Sequence, residues 1–232
     1  MRNLLFLFCF LLLVNCEDKQ TKSQTTKVSE PKTEKKKEPK KDSIVKPERE
    51  FPLLTSKNAM DFFLEYEKHN KENTVRLITT CGNIDIQLFE KTKFHRANFI
   101  FLIKNKVFDG TQFHRVVKNF IIQGGNSDDR KVLKKRRNIG KYLLSPDTKR
   151  GFKHHRGVIS VPSSDIENAY KLASPYEFFI TQSNQYHLDG KYTVFGKVIK
   201  GMDVVDKINA QETDSGDWPV HNIYIKEAII LN

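Results

Sequence analysis

Of the 232 residues only 11 are glycine, three cysteine, three methionine and one tryptophan. So little glycine excludes a collagen-like repeat, and so few cysteines exclude a disulfide-stapled scaffold. No apolar run approaches the roughly 20 residues that cross a bilayer as a helix. Negative charge is also scarce: 28 Asp+Glu stand against 40 Lys+Arg, a formal net charge of +12. What is present is enough chain for one substantial domain with an appendage.

The chain starts Met1-Arg2-Asn3, runs apolar from Leu4 to Val14, and turns polar at Asn15-Cys16-Glu17-Asp18. A basic start, a short apolar stretch and an abrupt polar switch predict an export signal over residues 1–15. Leu13-Val14-Asn15-Cys16 resembles the lipobox of bacterial lipoproteins, which implies lipidation of Cys16 and a membrane-anchored, periplasmic protein of the cell envelope. An ordinary cleaved signal is the other reading. With Cys9 and Cys16 removed from the folded part, Cys81 is the one thiol left, and its place between apolar strand candidates predicts a core position.

Residues 17–50 carry 11 basic and eight acidic side chains, with Val28, Ile44 and Val45 the only sizeable apolar ones. Such a segment cannot bury a core. Together with Cys16 it reads as a disordered charged tether (16–50), spanning about 30 to 35 Å as a flexible coil. A helical extension (51–73) and the main domain (74–232) follow. Within that domain Arg130 to Arg156 holds 11 basic residues and one acid, Asp147, so a single segment carries the charge imbalance. It reads as a long solvated connection, or as a surface that attracts an anionic partner.

Asn58 and Asp61 suggest a helix start, with Met60, Phe63 and Tyr66 at helical spacing up to Asn70. Val75, Leu77 and Thr79, then Cys81-Gly82-Asn83, then Ile84, Ile86 and Leu88 predict a hairpin. Ala97 to Ile103 reads as a buried helix and Met202 to Asn209 as another. Short β-rich runs fall at Gln112–Val117, Phe120–Gln123, Gly157–Val161, Phe178–Thr181, Val194–Ile199 and Tyr224–Leu231. Many short strands with few helices predict a mainly β, closed antiparallel barrel, which leaves no exposed sheet edge.

Between Phe108 and Gly125 lie Gly110-Thr111-Gln112-Phe113-His114-Arg115 and Phe120-Ile121-Ile122-Gln123-Gly124-Gly125. Period-two alternation puts Phe113 and Arg115 on one face, with His114 opposite, and so places Arg115 among apolar neighbours. An arginine there needs a partner, and on the residues alone a buried structural ion pair is the stronger reading. The stretch resembles the cyclophilin signature. The resemblance continues through Thr80-Cys81-Gly82-Asn83, Gly157-Val158-Ile159-Ser160, Phe178-Phe179-Ile180-Thr181, Leu188-Asp189-Gly190-Lys191 and Val194-Phe195-Gly196.

That resemblance implies a closed eight-stranded cyclophilin-like barrel capped by two helices, with the extra helix at the N-terminal side, and prolyl cis/trans isomerase activity without a cofactor. It implies Arg115 as the catalytic arginine. Phe120, Ile121, Phe179 and Leu188 would line the proline pocket, Gln123 would contact substrate backbone, and Tyr192 stands where the family often has His or Tyr. Three positions depart from the pattern. Glu177 stands for the usual Gln; Val161-Pro162-Ser163 replaces Met-Ala-Asn, leaving a backbone role to Ser163; His187 sits where some members have Trp. The implied partners are proline-containing polypeptides, bound by a monomer that assists folding of exported proteins. The alternative is a low-turnover chaperone module that only binds such segments. Nucleic acid is disfavoured because the basic run lacks interleaved aromatics apart from Tyr142 and Phe152. No metal is expected, since His154-His155 lack a ligand set at suitable spacing.

Overall fold

The computed structural model describes residues 49–163 and 169–232; the expected export signal, Cys16 and nearly all of the tether lie outside the described residues. In chain order the described elements are β1 (Leu54–Thr55), α1 (Ala59–His69), β2 (Thr74–Thr79), β3 (Asn83–Leu88), α2 (Lys93–Lys104), β4 (Thr111–Val117), β5 (Ile121–Asn126), α3 (Arg130–Ile139), β6 (Gly140–Lys141), β7 (Val158–Ser160), β8 (Phe178–Thr181), β9 (Val194–Lys200), α4 (Met202–Asn209) and β10 (Ile223–Ile230). Eight strands close into an antiparallel barrel in the order β10-β2-β3-β9-β7-β8-β5-β4. Alternation makes the barrel: Val75, Leu77, Ile84 and Ile86 point inward from β2 and β3 and are fully buried. The β2–β3 turn is tied by Thr79 Oγ1, which donates to the Gly82 carbonyl at 2.7 Å and accepts from Cys81 N at 3.0 Å. Cys81 itself is only partly buried, packed at the edge of the core.

α2 buries every residue from His95 to Ile103. α1 packs on it through rings: Phe62, Phe63 and Tyr66 lie 5.2, 5.7 and 5.3 Å from Phe101. A buried ion pair joins the same helices, with Arg96 Nη2 2.6 Å from Glu67 Oε1 and Arg96 Nη1 donating to the Lys71 carbonyl at 2.8 Å. Asn58 does not cap α1 through its side chain; its Oδ1 accepts from Thr55 N at 2.7 Å and so closes the preceding turn instead.

Three elements depart from the expected organisation. β1 and β6 form a small parallel sheet, and α3 occupies the first part of the basic segment. Asp129 caps α3 by accepting from Lys131 N at 2.6 Å, and Val132 and Ile139 are the residues it buries. Gly140 ends α3 at φ +140°, where a Cβ would stand 2.0 Å from the Leu54 carbonyl oxygen, so the β1–β6 contact requires glycine there.

The fourth difference decides the site. β4 and β5 pair Phe113 with Gly124 but Arg115 with Gln123, a bulge that leaves His114 as the extra residue. The bulge breaks the period-two pattern, so Phe113 and Val116 enter the core while Arg115 turns outward. Arg115 is therefore not buried among apolar side chains: its side chain is 41% exposed.

Candidate active site

Strand register builds a transverse row on the outside of the barrel. Arg115 on β4 pairs with Gln123 on β5, and Gln123 pairs with Phe179 on β8. Ile121 shares the Gln123 face of β5, two residues away. It joins Phe179 and Leu188 in a small apolar cluster, separate from the core, with Val117, Phe120 and Tyr192 half-buried around it. Leu188 and Tyr192 come from the turn after β8, closed by Tyr192 N donating to the Leu188 carbonyl at 3.4 Å. The Tyr192 ring stands edge-on to Phe179 at 5.7 Å, and His187 stacks on Phe120 at 5.6 Å. Arg115, Phe120, Ile121, Gln123, Glu177, Phe179, Leu188 and Tyr192 thus converge on one face. Ser163 stays apart: among the described residues no contact joins it to the cluster, and it bridges Ala173, with the Pro162 carbonyl accepting from Ser174 N at 3.0 Å. The missing N–H of Pro162 costs this bridge nothing.

The polar side of the row is a network. Gln123 Nε2 donates to Glu177 Oε2 at 3.0 Å, and His114 Nε2 lies 3.6 Å from the same oxygen. Burial pushes the Glu177 carboxyl up, but His114, Gln123 and the Arg136 charge outweigh burial and hold it below its ordinary range. The carboxylate therefore stays ionised at neutral pH and orients the Gln123 amide. Arg136 reaches this corner from α3, donating to the Gly125 carbonyl with its guanidinium 5.2 Å from the Tyr176 ring centre. The Arg115 Nε donates to Asp217 Oδ2 at 3.1 Å.

Several supporting residues escape a reading of the sequence. Asn209, the last residue of α4, holds the β4–β5 hairpin by accepting from Asn119 N at 3.0 Å and donating to the Val117 carbonyl at 2.8 Å. Beneath the pocket the buried His154 ring lies nearly parallel to Phe179 at 6.2 Å. Its Nδ1 is 2.9 Å from Asp189 Oδ1 and its Nε2 is 3.2 Å from Ser160 Oγ. The order of groups is that of a serine hydrolase, but Ser160 and His154 are wholly buried, out of reach of any acyl substrate. Burial lowers the His154 pKa and the Asp189 contacts only partly offset this, so a neutral ring braces Phe179 from below. The Leu188-Asp189-Gly190 stretch was the available signal, legible only as a turn. Among the described residues no group of His, Cys, Asp and Glu forms a metal site.

The family profile described as "Cyclophilin type peptidyl-prolyl cis-trans isomerase/CLD" matches residues 74–230. Over 164 residues the chain is 38% identical to peptidyl-prolyl cis-trans isomerase-like 2 of Rhizopus delemar, covering 70% of this chain and 30% of that longer protein. It is 34% identical to peptidyl-prolyl cis-trans isomerase CYP18-1 of Arabidopsis thaliana, covering 68% of this chain and 95% of the relative. Among solved structures, a Cryptosporidium parvum cyclophilin-type isomerase, crystallised in the presence of the dipeptide Ala-Pro, superposes with a TM-score of 0.58 at 29% identity. That match covers 68% of this chain and 99% of the other. The barrel with its external apolar cluster is thus the fold of a prolyl-isomerase class. The chain belongs to the cyclophilin-type peptidyl-prolyl cis-trans isomerase family.

Proposed function

We propose that this isomerase turns over prolyl bonds at Arg115 and assists the folding of exported proteins, as a monomer held to the envelope membrane by a lipid at Cys16. One observation carries the catalytic part: strand register sets a half-exposed guanidinium in line with a small apolar cluster on the barrel exterior. An X-Pro bond resists rotation by about 18 to 20 kcal/mol because its C–N bond has partial double-bond character. No covalent bond need break. In the twisted state resonance is lost and the proline nitrogen regains a lone pair, to which a guanidinium donates far better than to the planar imide. A guanidinium has five N–H donors. Asp217 engages Nε and Nη2 of Arg115, which leaves Nη1 for that nitrogen.

Ile121, Phe179 and Leu188 hold the pyrrolidine ring while the preceding carbonyl swings, with Phe120 and Tyr192 as walls. Gln123, oriented by Glu177, binds the peptide backbone beside it. Ser163, which stands apart from the cluster and bridges Ala173, is left to meet only the backbone of a longer peptide. A turnover of about 10² per second against about 10⁻² uncatalysed is a factor of about 10⁴, or roughly 5 to 6 kcal/mol. One charge-assisted donor and a desolvated pocket suffice for that. Clients with acidic residues near the proline, or other anionic partners, are drawn by the basic segment. Arg130, Lys131, Lys134 and Arg137 of α3 are exposed, and among the described residues none meets a carboxylate within ion-pair distance, which supports this reading. Closure of the barrel, which removes the edges through which its own sheet could pair with another copy, supports the monomer.

The test is acceleration of a proline-limited refolding phase, with peptide turnover measured beside it. The wild type is expected to accelerate the phase, and Arg115→Ala to lose about 10²-fold in kcat/KM, the scale set by removal of one transition-state donor. A wild type that binds proline peptides without accelerating the phase is a chaperone module instead.

A further inference from the structure

The guanidinium of Arg115 has one acidic partner among the described residues, 102 positions further along the chain. Its Nε and Nη2 both stand 3.1 Å from a single oxygen, Oδ2 of Asp217. Each side chain is 41% exposed, and an ion pair so open to water adds little to stability. Stability is thus a poor reason for the contact.

The backbone that presents Asp217 points the same way. Asp217 sits at φ +64°, in the left-handed region that only glycine adopts freely and that costs aspartate and asparagine less than other residues. A glycine is at hand one position earlier, Gly216, where φ is not positive. The loop is closed tightly around this strained residue. Asp214 Oδ1 accepts from Gly216 N at 2.8 Å and Trp218 N at 2.9 Å, and Asp214 N donates to the Trp218 carbonyl at 2.8 Å. The Asp217 carbonyl then accepts from Val116 N at 2.8 Å, the residue directly after Arg115. Backbone and side chain of Asp217 therefore grip β4 at the same point. Strain held in place by surrounding bonds, at a residue that touches the candidate site, is a mark of a functional constraint.

We infer that Asp217 is a positioning residue: it fixes the plane of the Arg115 fork through Nε and Nη2, so that Nη1 is aimed before substrate arrives. This rests on the reading of Arg115 given above. Without Asp217 the guanidinium samples other rotamers, and the loss falls on kcat because the oriented donor matters most in the twisted state.

Glycine separates this role from a structural one. Asp217→Gly relieves the positive φ, so a merely structural residue would yield a fold at least as stable and fully active. In the full-length chain we expect Asp217→Gly to keep or raise Tm while kcat falls about 10-fold and KM stays within about twofold. Asp217→Asn, which tolerates the left-handed region and retains an acceptor oxygen, is expected to recover part of that kcat. Asp217→Gly at wild-type kcat, beside an inactive Arg115→Ala, overturns the inference alone. So does a loss that appears in KM, or a loss of kcat in both variants that merely follows a fall in Tm. An Arg115→Ala variant at full activity overturns the reading of Arg115 and this inference with it.

Discussion

Two histidines show how much one residue's surroundings decide. His154 is buried but bonded on both ring nitrogens. His95, inside α2, is fully buried with both nitrogens lacking a partner among the described residues, and burial pushes its pKa down to about 4. Between pH 6.5 and 4 the unfolded chain therefore binds a proton at this site that the folded one does not, so stability falls as pH falls through that window. The difference comes to about 3 kcal/mol once pH reaches 4. His95→Leu is expected to flatten the pH dependence of the urea midpoint between pH 7 and 4.5, whereas parallel slopes for both proteins would refute the assignment. Depressed carboxylates such as Glu177 and Asp85 lose their contributions as pH falls through their own lowered pKa values, and they do so equally in both proteins. At this scale the sequence told residue types but not neighbours. Arg115 was legible as needing a partner; its face was not, because the bulge at His114 shifts the alternation by one residue.

At the scale of elements, α1 is part of the folded body and not a loose leader. Phe63 is wholly buried, among Phe62, Tyr66, Phe101 and Tyr142. Phe63→Ala is expected to cost about 3 to 5 kcal/mol in urea denaturation. A cost below about 1 kcal/mol would mean that α1 contributes little to the core. α1, β2 and β3 were legible from one apolar face repeating at helical or strand spacing, and α2, β7 and β8 from short continuous apolar runs that are buried on every side. α3 was not: a run dominated by Lys and Arg, with Val132, Leu133 and Ile139 as its only sizeable apolar residues, has the composition of a solvated loop. Its helical form depends on Asp129 at one end and on Gly140 docking against Leu54, nearly 90 residues away, at the other.

For the molecule as a whole, charge is the long-range variable. The formal charge of +12 includes 11 basic residues against one acid from Arg130 to Arg156. If that segment draws acidic clients, kcat/KM for Glu-flanked over Lys-flanked proline peptides should exceed one at low salt. The ratio should shrink once the screening length drops to about 3 Å at 1 M. Equal ratios at both salts would leave the segment a solvated face.

The sequence by itself determined the barrel and its helices and named the candidate groups that the fold gathers on one face, because apolar patterning and a contiguous signature are local properties of the chain. Only the tertiary structure decided which way Arg115 points, that Asp217 meets it, that Asn209 ties the hairpin and that His154 supports Phe179. Those contacts depend on a bulge, on strand register and on barrel closure, which bring together residues from tens to about a hundred positions apart. No local pattern records that proximity.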